Sequence, residues 1–265
     1  MTEPSFTDET LAGALCSLAI HAGAAAMEIY SSDFETEVKG DASPVTEADR
    51  IAEEIILAGL KAFAPDIPAL AEESAADGDI PDSLGRRFFL VDPLDGTREF
   101  ISKTGEFTVN IALIEDGRPV YGVVYAPAIA RLYAGGRDGA WAAETKDGAI
   151  KRRTVINART APADGLVAVA SRSHRSPETD DFLATLTVTD FTAAGSSLKF
   201  CLLAEGKADI YPRFGRTMEW DTAAGQAVLE AAGGRVVVHP GGEPLAYGKR
   251  ARGFDNPHFI AWGQV

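Results

Sequence analysis

Only two cysteines, Cys16 and Cys201, occur in 265 residues, too few for the disulfide framework of a small secreted scaffold. Both lie in apolar, helix-like runs, 11–20 and 198–204, where a buried, reduced thiol is the expected state. Basic residues are also scarce. The 25 Lys and Arg face 39 Asp and Glu, a net charge of −14, so the surface repels phosphate backbones and anionic lipid, and a nucleic-acid polymer is excluded as a general partner. No run approaches the roughly 20 apolar residues that span a bilayer, and the opening Met-Thr-Glu-Pro lacks the basic and apolar character of a leader. The expectation is a cytoplasmic chain with no transmembrane segment. Repeats and low-complexity blocks are likewise missing. What remains is 46% hydrophobic and 24% charged, enough to bury a sizeable core.

The local pattern divides the chain into two halves, 1–155 and 156–265. In the first, Asp8 leads into helical spacing over 11–30 and Thr46 into helical spacing over 48–63, each with a capping residue ahead of the apolar stripe. The polar stretch 31–45, with Gly40 and Pro44, reads as a loop. Short strand-like runs follow at 67–71 and 87–91. A hairpin joins 107–114 to 120–125, and another turns at Asp138-Gly139. This half reads as helices on an antiparallel sheet. Lys151-Arg152-Arg153 and Pro162 suit a surface crossover at the boundary. Beyond it, strand-like 166–170, 188–191, 208–211 and 235–238 alternate with helix-like 177–186, 197–204 and 222–232, the signature of a layered α/β half.

The densest cluster of chemistry is Val91-Asp92-Pro93-Leu94-Asp95-Gly96-Thr97, at the end of an apolar run. Two carboxylates three residues apart, followed by Gly-Thr, form a loop that suits a hard cation and offers N–H groups to a phosphate. An Asp-Pro, Asp-Gly turn is an equally good reading of that loop alone. The aspartyl-phosphate phosphatases place Asp two residues before the Asp of Asp-Gly-Thr. Here that position is Pro93, which has no nucleophile. Further acidic sites are Glu72-Glu73, Asp221 after Trp220, and Asp49. Taken singly, they read as a solvated edge, an N-cap, and the third position of a near capping box with Thr46.

Together they carry a resemblance. Pro44-Val45-Thr46-Glu47-Ala48-Asp49, Glu72-Glu73-Ser74, Asp92-Pro93-Leu94-Asp95-Gly96-Thr97 and Trp220-Asp221-Thr222-Ala223-Ala224-Gly225, then Ala232-Gly233-Gly234, resemble in order the inositol monophosphatase family of lithium-sensitive, Mg²⁺-dependent phosphatases. The likeness covers nearly the whole chain. It implies an αβαβα sandwich mixing α/β and α+β layers, with the site between the halves. It also implies two or more Mg²⁺ ions on Glu72, Asp92, the Leu94 carbonyl, Asp95 and Asp221. By the same likeness Asp49 and Thr97 pair to help activate water, and Gly96 and Thr97 N–H groups hold phosphate oxygens against Glu72, Leu94, Asp95 and Asp221. Glu73 is expected to be a solvated carboxylate.

Within the family, Arg98-Glu99-Phe100, Ser171-Arg172-Ser173-His174 and Gly195-Ser196-Ser197-Leu198-Lys199-Phe200 are similar to the 3′(2′),5′-bisphosphate nucleotidases. Arg213 stands where inositol phosphatases tend to carry a Glu. The implied substrate is a 3′-phosphorylated adenine nucleotide, adenosine 3′,5′-bisphosphate, in a step linked to sulfate assimilation. His174, Ser196, Lys199 and Arg213 would then bind substrate, and a cation such as Arg suits a second phosphate. Other readings stay open: Lys199 facing solvent, His174 on a surface loop, Arg213 paired with Asp209, an inositol monophosphatase, or a non-catalytic acidic module binding divalent cations. Peripheral attachment to the inner membrane, described for some relatives, stays open too.

Overall fold

A computed structural model describes residues 7–32, 36–38, 44–170 and 176–264. Helix α1 (Asp8–Tyr30) begins at Thr7, whose side chain accepts the Thr10 N–H. Strands β1 (Thr36–Val38) and β2 (Pro44–Thr46) pair antiparallel, so the stretch expected to be a loop contains a small ribbon. Helix α2 (Glu47–Phe63) starts with a complete capping box between Thr46 and Asp49.

A seven-stranded sheet follows in sequence order. It comprises β3 (Ala69–Ala71), β4 (Arg87–Asp95), β5 (Thr108–Glu115), β6 (Arg118–Ala126), β7 (Arg131–Gly136), β8 (Gly139–Lys146) and β9 (Ala149–Ile156). Only the β3–β4 pair is parallel, because the short helix α3 (Glu72–Ala76) and a loop carry the chain back between them. Asp116-Gly117 and Asp147-Gly148 make two-residue hairpin turns with positive φ at both positions, the type I′ geometry that matches strand twist. Lys151-Arg152-Arg153 lie within β9, not in a crossover. β9 is the sheet's edge strand, and charges on an edge discourage pairing with other chains.

The second sheet runs β11-β10-β12-β14-β13, from β10 (Leu166–Ala170), β11 (Val188–Ala193), β12 (Ile210–Arg213), β13 (Arg235–Val238) and β14 (Phe259–Trp262). β14 was not anticipated from the sequence. Helices α4 (Thr97–Ile101), α5 (Pro177–Ala184), α6 (Leu198–Ala204) and α7 (Trp220–Ala231) complete the set. The layers are α1 and α2, the large sheet, α6 and α7, the small sheet, then α5, the αβαβα sandwich expected. Within α1, Glu9–Tyr30 is long and apolar enough to cross a membrane by length and composition alone, with a mean hydropathy of 1.5, a stretch longer than the sequence suggested. Half of that window is buried inside the protein, where α1 packs on α2, β5 and β6. Cys16 and Cys201 are buried and unpaired with each other, as expected.

The small residues of Trp-Asp-Thr-Ala-Ala-Gly have a packing role. They let α7 approach the sheet so closely that a Cβ at Gly122 of β6 would lie 2.5 Å from the Ala224 carbonyl oxygen and 2.9 Å from its Cα. Backbone cannot yield there. Gly122→Ala should therefore destabilise the chain by about 1–3 kcal/mol or more, as overpacking of a close interface does, read as a lower urea midpoint with unchanged m-value. An unchanged midpoint would mean that α7 does not seat so closely.

Candidate active site

Asp92 and Asp95 are three residues apart, a spacing that strand alternation sends to opposite faces. Register solves this. β4 pairs Asp92 with Asn110 and Asp95 with Thr108, so three steps on β4 match two on β5. The extra residue at Pro93-Leu94 is a β-bulge, and Pro93 has no N–H to leave unpaired. Both carboxylates therefore lie on the face that meets α7, with Asn110 Nδ2 at 3.5 Å from Asp95 Oδ2. Gly96 then takes a left-handed φ of 96°, which a side chain would resist, and opens α4 so that Thr97 heads it.

Asp221 comes from the first turn of α7, whose N-cap is Glu219. Its Oδ2 accepts the Met218 N–H at 2.9 Å. Oxygens of Glu72, Asp92 and Asp221 lie within 4.8 Å of one another. Glu72 is aimed by α3, and α3 is held by a buried carboxylate that the sequence reading missed. Glu53 accepts the Glu73 N–H at 2.8 Å, the Ser74 N–H at 2.7 Å and the Ser74 hydroxyl at 2.6 Å. The signal was available: Glu53 stands one turn after Asp49 on the buried face of α2, among Ala52, Ile56 and Leu60. Glu73, expected in solvent, is buried.

Thr97 Oγ1 donates to Asp49 Oδ1 at 3.2 Å, with the Leu94 carbonyl at 3.4 Å as a second acceptor. The other Asp49 oxygen accepts the Thr46 N–H at 2.8 Å and the Thr46 hydroxyl at 2.7 Å. Asp49 thus serves both the capping box and Thr97.

A cleft of about 220 Å³ brings Glu72, Asp95, Gly96, Thr97 and Asp221 together with Ser196, Lys199 and Arg213. Glu99, Tyr211 and Thr217 line it as well; Glu99 belongs to the Arg98-Glu99-Phe100 motif but was not assigned to the site, and Tyr211 and Thr217 were not proposed as site residues. Lys199 is buried, not solvent-facing. Arg213 does not pair with Asp209, because Arg159 occupies both carboxylate oxygens of Asp209 at 2.8 Å. Arg213 instead donates from Nη2 to the Arg216 carbonyl. Its Nε and the Ser196 hydroxyl are buried and have no hydrogen-bond partner within the protein. Unmet donors beside a buried ammonium are what an anion would satisfy. His174 lies outside the described residues.

Burial raises Asp95 to about 6, with Glu72 and Glu99 adding to the rise and Lys199 opposing it. Burial, then Asp95 and Glu72, push Asp221 well above the carboxylate range. Burial lowers Lys199, against the pull of Asp95. Carboxylates crowded in this way repel one another until a cation compensates them. The donor set fits a hard divalent ion: carboxylate and carbonyl oxygens, with no Cys or His among the described residues lining the cleft.

A profile of the inositol monophosphatase family matches residues 7–259. The chain belongs to that family. Its members are metal-dependent, in keeping with the acidic cluster. The chain is 47% identical over 247 residues to the 3′(2′),5′-bisphosphate nucleotidase CysQ of Shigella flexneri, covering 92% of this chain and 96% of the relative. Against CysQ of Escherichia coli strain K12 the identity is 46% over the same shares. The crystal structure of CysQ from Bacteroides thetaiotaomicron, a bacterial member of the inositol monophosphatase family, superimposes with a TM-score of 0.79 at 40% identity, over 96% of this chain and 98% of that one. An inositol monophosphatase from Zymomonas mobilis gives 0.72 at 28% identity, over 93% and 90%.

Proposed function

We propose that this inositol monophosphatase-family chain is a Mg²⁺-dependent 3′(2′),5′-bisphosphate nucleotidase of the cytoplasm that hydrolyses adenosine 3′,5′-bisphosphate to AMP and phosphate. One observation carries the reading: a hard-oxygen cluster of Glu72, Asp95 and Asp221 shares a single cleft with two cations, Lys199 and Arg213. The names of the relatives with 46–47% identity supply the nucleotide.

Glu72, Asp92, the Leu94 carbonyl, Asp95 and Asp221 would hold two or more Mg²⁺ ions. Bound there, divalent cations polarise phosphate oxygens, acidify water and neutralise the departing alkoxide. The chain's own groups supply the rest. Asp49 accepts the hydrogen bond of the Thr97 hydroxyl, so the Thr97 oxygen turns its lone pairs to a proton of the attacking water. Water adds in line to the 3′-phosphorus as the bond to the ribose oxygen breaks, and the proton that the water gives up is balanced by the one the ribose oxygen takes up from solvent to leave as the 3′-hydroxyl of AMP. N–H groups of Gly96 and Thr97 hold the transferred phosphate, and Ser196, Lys199 and Arg213, together with His174, bind the remainder of the nucleotide, including its 5′-phosphate.

The test is selectivity. Removing a charge-assisted contact to the second phosphate costs about 1.5–3 kcal/mol. Arg213→Glu should thus lower kcat/KM for adenosine 3′,5′-bisphosphate by about ten- to a hundredfold, and barely alter hydrolysis of 3′-AMP or inositol 1-phosphate. Equal losses on all three substrates, or a wild-type preference for inositol 1-phosphate, would make inositol monophosphatase the better reading.

A further inference from the structure

The turn between β12 and α7 supplies Thr217 to the cleft and leads into Asp221 in the first turn of α7, and it is tied to a segment just before β14. Asn256 is buried there, 4% exposed. Its backbone N–H donates to the Thr217 carbonyl at 2.9 Å. Its side-chain Nδ2 donates to the Met218 carbonyl at 2.7 Å, and lies 3.0 Å from Thr222 Oγ1 and 3.3 Å from Thr217 Oγ1. On the other side of Met218, the N–H donates to Asp221 Oδ2 at 2.9 Å. Met218 is therefore held between Asn256 and Asp221, and a one-strand bridge from Met218 to Asp255 fixes the same contact in the backbone.

We propose that Asn256 is a positioning residue for the cleft. It locks the turn at 217–219 and the start of α7 so that the Asp221 carboxylate meets Glu72 and Asp92, and so that Thr217 accepts from Asn256 on one side and keeps its hydroxyl proton for the cleft on the other. Only a side chain with a planar pair of N–H donors meets both a carbonyl and a hydroxyl acceptor from that position. The inference rests on the reading of the acidic cluster as a metal site, and not on the identity of the substrate.

A control sits in the same buried polar network. Tyr247 Oη donates to Gln226 Oε1 at 2.7 Å and lies 3.2 Å from Thr222 Oγ1, and among the described hydrogen bonds it has none to Met218 or Asp221. Tyr247→Phe therefore perturbs the support of α7 without releasing the turn. The experiment titrates Mn²⁺, read by electron paramagnetic resonance of the free ion, into the metal-stripped wild type and into Asn256→Ala, Asn256→Asp and Tyr247→Phe. Thermal unfolding in EDTA is measured on each. Both Asn256 variants should bind Mn²⁺ at least tenfold more weakly, whereas Tyr247→Phe should lose thermal stability and stay within twofold of wild-type affinity. If Asn256→Ala does not fold, the isosteric Asn256→Asp decides alone. Folded Asn256 variants with wild-type affinity, or a Tyr247→Phe variant weakened as much as they are, would overturn the proposal. A wild-type chain that binds no Mn²⁺ would instead remove the metal reading on which it stands.

Discussion

Asp95→Asn should lower turnover by about 10³-fold at saturating Mg²⁺ and at the same time raise the melting temperature of the metal-free chain. The first effect follows from removing a charged oxygen from the site that must stabilise transition-state charge, a contribution of several kcal/mol, where each 1.36 kcal/mol is tenfold in rate. The second follows from the sign of the Asp95 shift. Its folded pKa of about 6 stands above the ordinary aspartate value of 3.8, so the ionised carboxylate is less favourable in the folded chain than in the unfolded one. Without metal, stability from this group is greatest below the unfolded pKa. It falls as pH rises through the interval up to about 6. At pH 7.5 the neutral Asn should recover about 1–2 kcal/mol of that loss. Addition of Mg²⁺ should reverse the order, stabilising the wild type by mass action and the variant much less. Phosphate release and thermal unfolding in EDTA and in MgCl₂ read all of this on one preparation. Near-normal turnover of Asp95→Asn, or a variant less stable than wild type in EDTA, would show that Asp95 is not a crowded ligand.

That opposition between stability and chemistry explains why parts of this site were readable in the sequence. Asp-Pro-x-Asp-Gly-Thr breaks the local preference of an apolar strand for apolar residues, and such breaks concentrate where function demands them. The capping box at Thr46 and Asp49 was legible because it is local, and so were the hairpins at Asp116-Gly117 and at Asp138-Gly139, whereas the turn at Asp147-Gly148 was not named. Glu53, Asn256 and Thr217 escaped because their partners are distant in sequence: Glu53 bonds residues 20 and 21 positions away, and Asn256 reaches back 34 to 39. Edge strand β9 was misread for a related reason. Three consecutive basic residues look like a solvated connection unless the neighbouring strand is known. The bulge that turns Asp92 and Asp95 to one face is a property of β4 against β5, invisible in either strand alone.

Thr97→Val and Asp49→Ala should separate chemistry from folding. Thr97 Oγ1 sits at 3.2 Å from Asp49 Oδ1 in a half-exposed position at the head of α4, and Val keeps its shape without its hydroxyl. A positioned proton-transfer group contributes typically 10²–10⁴-fold, so Thr97→Val should lose about 10²- to 10³-fold in kcat. Its melting temperature should move little, since the lost hydrogen bond is worth only about 1 kcal/mol. Asp49→Ala removes the same acceptor and so should lose kcat to a similar extent. It also strips the capping box, leaving the Thr46 N–H and hydroxyl, bonded at 2.8 and 2.7 Å in the native chain, without their carboxylate, and should cost a further 0.5–2 kcal/mol or so of stability. Two residues that act as one unit are non-additive. The double variant should therefore be scarcely slower than Thr97→Val, while being as unstable as Asp49→Ala. Steady-state kinetics and urea unfolding on the three variants test the pair directly: a kcat loss in the double variant equal to the product of the single losses would mean that Thr97 and Asp49 act independently, and that the hydrogen bond between them orders the loop without serving the attacking water.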